Sequence, residues 1–183
     1  MPDLVPPHGG KLVPLLARRS QREEGTLPEV KLNSREMSDL IMLAMGAFSP
    51  LQGFMGKEDY QKVVKEMRLK SGLIWPIPIT LSVSKEEANN IKEGQRIALV
   101  NSDNHEVMAS MLVEEKYSYD KRAEALQVFG TDDEKHPGAE KIYEQGEVYL
   151  GGPVKVFSEG DYPEKYPEFA RPAETREIFA RSQ

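Results

Sequence analysis

Three histidines, His8, His105 and His136, are the residues best suited to move a proton or hold a metal near neutral pH. They lie far apart in sequence, and no pair has the spacing of metal ligands. His105 sits beside a predicted hairpin turn and reads as a surface histidine, whereas His136 precedes Pro137-Gly138 and reads first as a turn residue. The neighbouring acids Asp132, Asp133 and Glu134 could attract a cation, but they lack calcium-loop spacing and read as a solvated face. Pro6-Pro7-His8-Gly9-Gly10-Lys11 invites comparison with a phosphate loop and fails it, because Leu12 follows the lysine and the upstream glycine spacing is missing. No Gly-x-Ser-x-Gly elbow and no dinucleotide fingerprint occurs. With no cysteine, thiol nucleophiles, disulfides and Cys-type zinc sites are excluded.

The elements that would position any site follow from local signals. Asn33 and Glu36 form a capping box, with Leu32 and Met37 placed as a hydrophobic staple, and predict a helix over Ser34–Met45 that Gly46 stops. Gly46–Gly56 is irregular yet rich in apolar side chains (Phe48, Leu51, Phe54, Met55), so it must fold back and bury them. Lys57–Leu69 predicts an amphipathic helix with Tyr60, Val63, Val64 and Met67 in one stripe. Ile77, Ile79, Leu81 and Val83 alternate as in a strand whose start, at Pro76 and Pro78, must be an edge. Ser84 with Glu87 opens a short helix to Asn90, and Arg96–Asn101 and Glu106–Lys116 predict strands joined at Asp103-Asn104. Asp120 caps a helix to Phe129, the stretch 131–138 reads as a polar loop, and Glu147–Phe157 predicts a strand broken at Gly151-Gly152-Pro153. Residues 1–32 predict an extended arm pinned by Leu12, Val13, Leu15 and Leu16, with a solvated turn over Arg18–Glu24. Residues 159–169 lack periodicity and read as a linker or strap, after which Pro172 opens a further helix.

With 183 residues, 39% apolar and 30% charged, the chain has the composition of one globular domain. Its net charge of −6 argues against nucleic-acid binding. The longest uncharged run is Leu40–Gly56, which Gly46, Pro50 and Gly53 interrupt, so no membrane span is expected. The N-terminus carries no targeting pattern, and a cytoplasmic setting is expected.

In combination, several motifs carry a resemblance. Gly46-Ala47-Phe48-Ser49-Pro50-Leu51-Gln52-Gly53-Phe54-Met55, then Tyr60, Met67-Arg68-Leu69 and Trp75-Pro76-Ile77-Pro78-Ile79-Thr80-Leu81, resemble the amino-terminal domain of ATP sulfurylases (sulfate adenylyltransferases). Pro7-His8-Gly9-Gly10, Tyr119-Asp120-Lys121, Val128-Phe129-Gly130-Thr131 with His136-Pro137-Gly138, and Leu150-Gly151-Gly152-Pro153-Val154 agree in order. Pro172-Ala173-Glu174-Thr175-Arg176 with Phe179 is similar to the helix that opens the family's catalytic domain.

The resemblance implies an α+β fold, a small mixed PUA-like β-barrel with packed helices, over residues 1–168. Residues 169–183 would begin an α/β catalytic domain whose remainder is absent from this sequence. It implies ATP, with Mg2+, and sulfate as substrates of a full-length, cytoplasmic, homo-oligomeric enzyme making adenosine 5′-phosphosulfate and pyrophosphate. The family's Gln-x-Arg-Asn-Pro-x-His-x-x-His and Gly-Arg-Asp-His blocks do not occur here. No catalytic, cofactor-binding or metal-binding residue is therefore assigned, no cofactor is expected on this chain, and the chain alone is expected to be inactive. Displacement at phosphorus needs several fixed donors and positive charges, and the sequence offers no such cluster. The alternative expectation is a free-standing PUA-like binding module with RNA as candidate ligand.

Overall fold

A computed structural model describes residues 4–17 and 27–182. The turn expected at Arg18–Glu24 lies outside the described residues. The chain divides into two compact units: residues 1–53, 96–111 and 154–183 form the first, and residues 54–95 and 112–153 the second.

In the first unit, β1 (Glu29–Leu32) pairs in parallel with β4 (Arg96–Asn101), register Glu29 to Ala98 through Leu32 to Asn101. Strand β5 (Val107–Leu112) lies on the other side of β4 and pairs antiparallel with residues 154–156. Strand β1 falls within the stretch that the sequence suggests is an arm. Its alternation is plain in the structure, since Val30 and Leu32 are buried while Glu29 and Lys31 face outward. Helix α1 (Ser34–Ala44) begins at the predicted capping box: Glu36 N donates to Asn33 Oδ1 at 2.9 Å, and Asn33 N to Glu36 Oε2 at 3.1 Å. It buries Leu40, Ile41, Leu43 and Ala44. The arm is held chiefly through its backbone. Leu15 N and Leu16 N donate to Ala44 O and Ala17 N to Val156 O, while Leu16 itself is exposed.

In the second unit, β3 (Leu81–Val83), β6 (Glu115–Ser118) and residues 148–151 form an antiparallel set, the last flanked by the other two. Strand β2 (Gly53–Phe54) falls at the unit boundary, and β7 (Val148–Val156) is shared between the units by residue. Strand β3 keeps only the last three residues of the predicted alternation over 77–83, because Pro76 and Pro78 lack the N–H groups a ladder requires. The predicted strand 106–116 is two strands, β5 and β6, broken where Val113 N donates to Gln95 O and Glu114 N to Gly151 O.

Helix α2 (Lys57–Glu66) stops earlier than its stripe suggests. Met67 caps it at φ 51° and lies 60% exposed, turning the chain into a hairpin closed by Trp75 N to Met67 O and Leu69 N to Leu73 O. Helix α3 (Lys85–Asn90) has the predicted Ser84–Glu87 box. Helix α4 (Lys121–Phe129) is capped by Asp120, whose Oδ1 accepts from Arg122 N and Ala123 N.

The polar stretch 131–138 leads into a helix that its sequence does not announce, α5 (Pro137–Glu144). It packs on α4 through Ala125, Ala139 and Ile142, flanked by Tyr119, Phe129 and Tyr143. A short α6 (Tyr162–Lys165) and α7 (Pro172–Arg181) follow in the first unit. Among the described residues, no helix is long and apolar enough to cross a membrane.

Candidate functional site

The strongest concentration of polar chemistry in the second unit is a buried carboxylate among tyrosines. Tyr117 and Tyr119 project from the region of β6, Tyr149 from the facing β7, and Tyr60 from α2. Glu124, on α4, is 3% exposed in their midst. Tyr60 Oη donates to Glu124 Oε2 at 2.8 Å. Tyr149 Oη lies 3.0 and 3.2 Å from the two carboxylate oxygens and 2.8 Å from the Gln145 amide. Tyr119 and Tyr149 stack 3.7 Å apart, and Tyr60 meets the Tyr149 ring edge-on at 5.4 Å.

Burial pushes the phenols of Tyr60, Tyr117 and Tyr149 far above the ordinary tyrosine range, and the Glu124 charge beside them pushes further in the same direction. These phenols are therefore fixed hydrogen-bond donors at any physiological pH, neither bases nor nucleophiles. Their chemistry is to hold the anion of Glu124 inside the unit and so fix α2 and α4 against the sheet.

Residues 55–56 of the first glycine motif and Gly151 of the second meet in the second unit. A Cβ on Gly151 would lie 2.7 Å from Gly56 Cα and Met55 O, so the backbone at 55–56 lies flat on β7. Tyr117 Oη donates to Met55 O at 2.7 Å from the other side. Gly56 precedes α2 with no side chain of its own to cap it. Glu115 fills that role, its Oε2 accepting from Lys57 N at 2.6 Å in the space a Gly56 side chain would occupy. Gly152, at φ 152°, would bring a Cβ to 2.0 Å from Leu112 O. Glycine is thus required at 151 and 152 because backbones touch there, whereas a Cβ at 56 would meet only the carboxylate end of Glu115.

In the first unit, Gly46 at φ 81° turns the chain after α1, and a Cβ there would lie 3.1 Å from Pro14 N. Ser49 Oγ donates to Gly46 O at 2.6 Å and accepts from Val13 N at 2.8 Å. Gly9 lies close against Pro50, and Gly10 N donates to Pro7 O, closing the Pro7–Gly10 turn.

A cleft of about 610 Å³ in this unit is lined by Asn33, Ser34, Asn101, Asp103, Asn104 and Glu106 on one side and Asp161, Glu164 and Lys165 on the other. Asn33 caps α1, Asn101 Oδ1 accepts from Asp103 N, and Asn104 Oδ1 accepts from Glu106 N. Four carboxylates against one ammonium repel sulfate and phosphate. The residues present do not fit a nucleotide, and among the described residues no group of three His, Cys, Asp or Glu could hold a metal.

The histidines and acids singled out from the sequence do not converge on a site. His8 is exposed, and His105 sits in the β4–β5 turn at φ 58°. His136 caps α5, its Nδ1 accepting from Gly138 N at 3.2 Å while its ring packs 5.1 Å from Phe129. Asp132 pairs with Arg122, and Asp133 Oδ1 accepts from Lys135 N, so neither is poised for a cation. Sequence reasoning misses the Glu124 cluster. The period-two pair Tyr117 and Tyr119 is its one local signal.

The described residues thus form an α+β fold with mixed strand pairing, glycine-built corners and a carboxylate buried among tyrosines. The chain belongs to the PUA-like domain family, whose model matches residues 5–159. It is 50% identical over 182 residues to a sulfate adenylyltransferase of Desulforamulus reducens, covering 96% of this chain and 47% of that protein. A sulfate adenylyltransferase of Chlorobaculum tepidum is 48% identical over 184 residues, covering 96% and 46% respectively. One from Nostoc punctiforme is 46% identical, covering 97% of this chain and 46% of its own length. The chain thus spans about half the length of the curated relatives it matches. Among solved structures, a hexameric APS kinase from Thiobacillus denitrificans superposes with a TM-score of 0.72 at 27% identity, over 97% of this chain and 32% of that one.

Proposed function

We propose that this chain is the amino-terminal part of a sulfate adenylyltransferase, the enzyme that joins sulfate to the α-phosphate of ATP and releases pyrophosphate. Its role is to brace the part that performs the transfer. The observation that carries this reading is identity near 50% along 96% of the chain to proteins of that name, which are about twice as long. In this assignment residues 1–168 are the PUA-like body and residues 169–183 begin the following catalytic part. ATP with Mg2+ and sulfate bind there, in a cytoplasmic homo-oligomer.

The division of labour has a physical basis. A transferring phosphoryl group develops negative charge, and fixed cations and donors must converge on it. The open cleft described above presents net negative charge, and the buried tyrosines face a carboxylate that water and substrate do not reach. At Gly46, Gly151 and Gly152 the backbone packs directly against other backbone, which suits a support.

The test is to assay pyrophosphate release from ATP and sulfate with the 183-residue chain and with the product of its full reading frame. The full product is expected to form adenosine 5′-phosphosulfate and the chain alone to release no pyrophosphate above background. Turnover by the chain alone would overturn the assignment. So would a reading frame that stops at Gln183 or continues without the Arg-Asn-Pro and His-x-x-His block.

A further inference from the structure

Between Gly160 and Ser182 no residue is buried, although the stretch contains α6 and α7. With Tyr162, Pro163, Phe169, Ala170 and Pro172 only half-buried, the direction of this segment depends on the polar contacts that fix it. Glu159, immediately before it, is 6% exposed. Arg171, the residue that opens α7, reaches back to that carboxylate with two prongs. Its Nε donates to Glu159 Oε1 at 3.1 Å, and its Nη2 donates to Glu159 Oε2. The third nitrogen, Nη1, donates to Glu174 Oε1 at 3.1 Å, and Glu174 Oε2 accepts from Arg171 N at 2.7 Å. The guanidinium also lies 5.5 Å from the centre of the Phe169 ring. One planar cation is thus fixed from several directions, and it joins the first turn of α7 to a carboxylate that has little water to fall back on. Farther along α7, Ile178 and Phe179 are 55% and 59% exposed.

We infer that Glu159 and Arg171 form a clamp that sets the direction of α7 within the first unit, and thereby positions the polypeptide that follows in the full-length enzyme. The second clause rests on the function proposed above, and the first does not. Both residues are positioning residues. Lysine cannot replace the arginine, because an ammonium is a single point donor and cannot engage both carboxylate oxygens in a fixed plane.

The chain has no cysteine, so spin labels can be placed cleanly at Lys31→Cys on β1 and Ala180→Cys on α7, both exposed. The distance distribution between them, measured by double electron–electron resonance, is expected to be narrow in the parent chain. It should broaden at least twofold in Arg171→Lys and in Glu159→Gln. Glu174→Gln, which removes only the local contact, should leave it narrow. An unchanged width in Arg171→Lys, with the fold retained by circular dichroism, overturns the clamp.

In the full-length enzyme, Arg171→Lys should lower kcat at least fivefold while KM for ATP moves less than twofold. Unchanged kcat there overturns the positioning role. An inactive full-length parent would instead overturn the functional reading and leave the label experiment standing.

Discussion

Removing one hydroxyl from the tyrosine cluster should reveal how much of the second unit's stability depends on Glu124. In Tyr60→Phe the ring stays and the 2.8 Å donor to Glu124 Oε2 is lost, inside a site where the carboxylate is 3% exposed. A hydrogen bond to a charged group contributes about 1.5–3 kcal/mol, and a buried acceptor left short of a donor sits toward the upper end. Taking about 2 kcal/mol, and about 2–4 °C per kcal/mol for a chain of this size, Tm should fall by about 4–8 °C. Glu124→Gln keeps the shape, removes the charge and leaves an amide the phenols can still bind, so it should cost about 1 kcal/mol. If the phenol's value lies in the charge it faces, the double variant should cost less than the sum of the singles by at least about 1 kcal/mol. Urea unfolding followed by circular dichroism gives all three numbers. A Tyr60→Phe cost under about 0.5 kcal/mol, with the two changes additive, would refute the picture of a tyrosine-held buried anion.

Three further outcomes are expected. Gly152→Ala puts a Cβ against Leu112 O and should destabilise the chain by at least about 4 kcal/mol in urea titration, whereas Gly72→Ala, at φ 87° with open space around it, should cost about 1 kcal/mol. Asp39 is held up at about 6 by burial, against the pull of the Arg35 guanidinium 2.8 Å away. The folded chain therefore keeps a proton that the unfolded chain has released, and unfolding free energy should fall by about 3 kcal/mol as pH rises from about 4 to above 6. Asp39→Asn should flatten that slope, and a parent profile already flat there contradicts the burial argument. The acidic balance of the chain predicts no salt-sensitive gel shift with structured RNA at low ionic strength, and such a shift would favour the binding-module alternative.

The features legible in the sequence are those written locally. The boxes at Asn33–Glu36 and Ser84–Glu87, and the Asp120 cap, each lie within four residues of the groups they satisfy, and all three form. Helix α5 escapes because an imidazole, rather than a serine, threonine or aspartate, accepts at its first turn. Strand β1 escapes because four residues between Pro28 and Asn33 offer too short an alternation to stand out from an arm. The alternation at 77–83 overreaches, since side-chain periodicity ignores the missing amides of Pro76 and Pro78. Glu124, Tyr60 and Tyr149 come together only through tertiary packing, and Glu159 and Arg171 lie twelve residues apart with no pattern between them. The glycine-rich stretches are visible as motifs, but the reason for them is the contact of Gly151 with Gly56, ninety-five residues away.

The proposed role of these residues is to support adenylyl transfer without binding its substrates. Isothermal titration of the isolated chain with a non-hydrolysable ATP analogue, Mg2+ and sulfate tests it most directly. No heat beyond dilution is expected, and a saturable, magnesium-dependent isotherm would contradict that role.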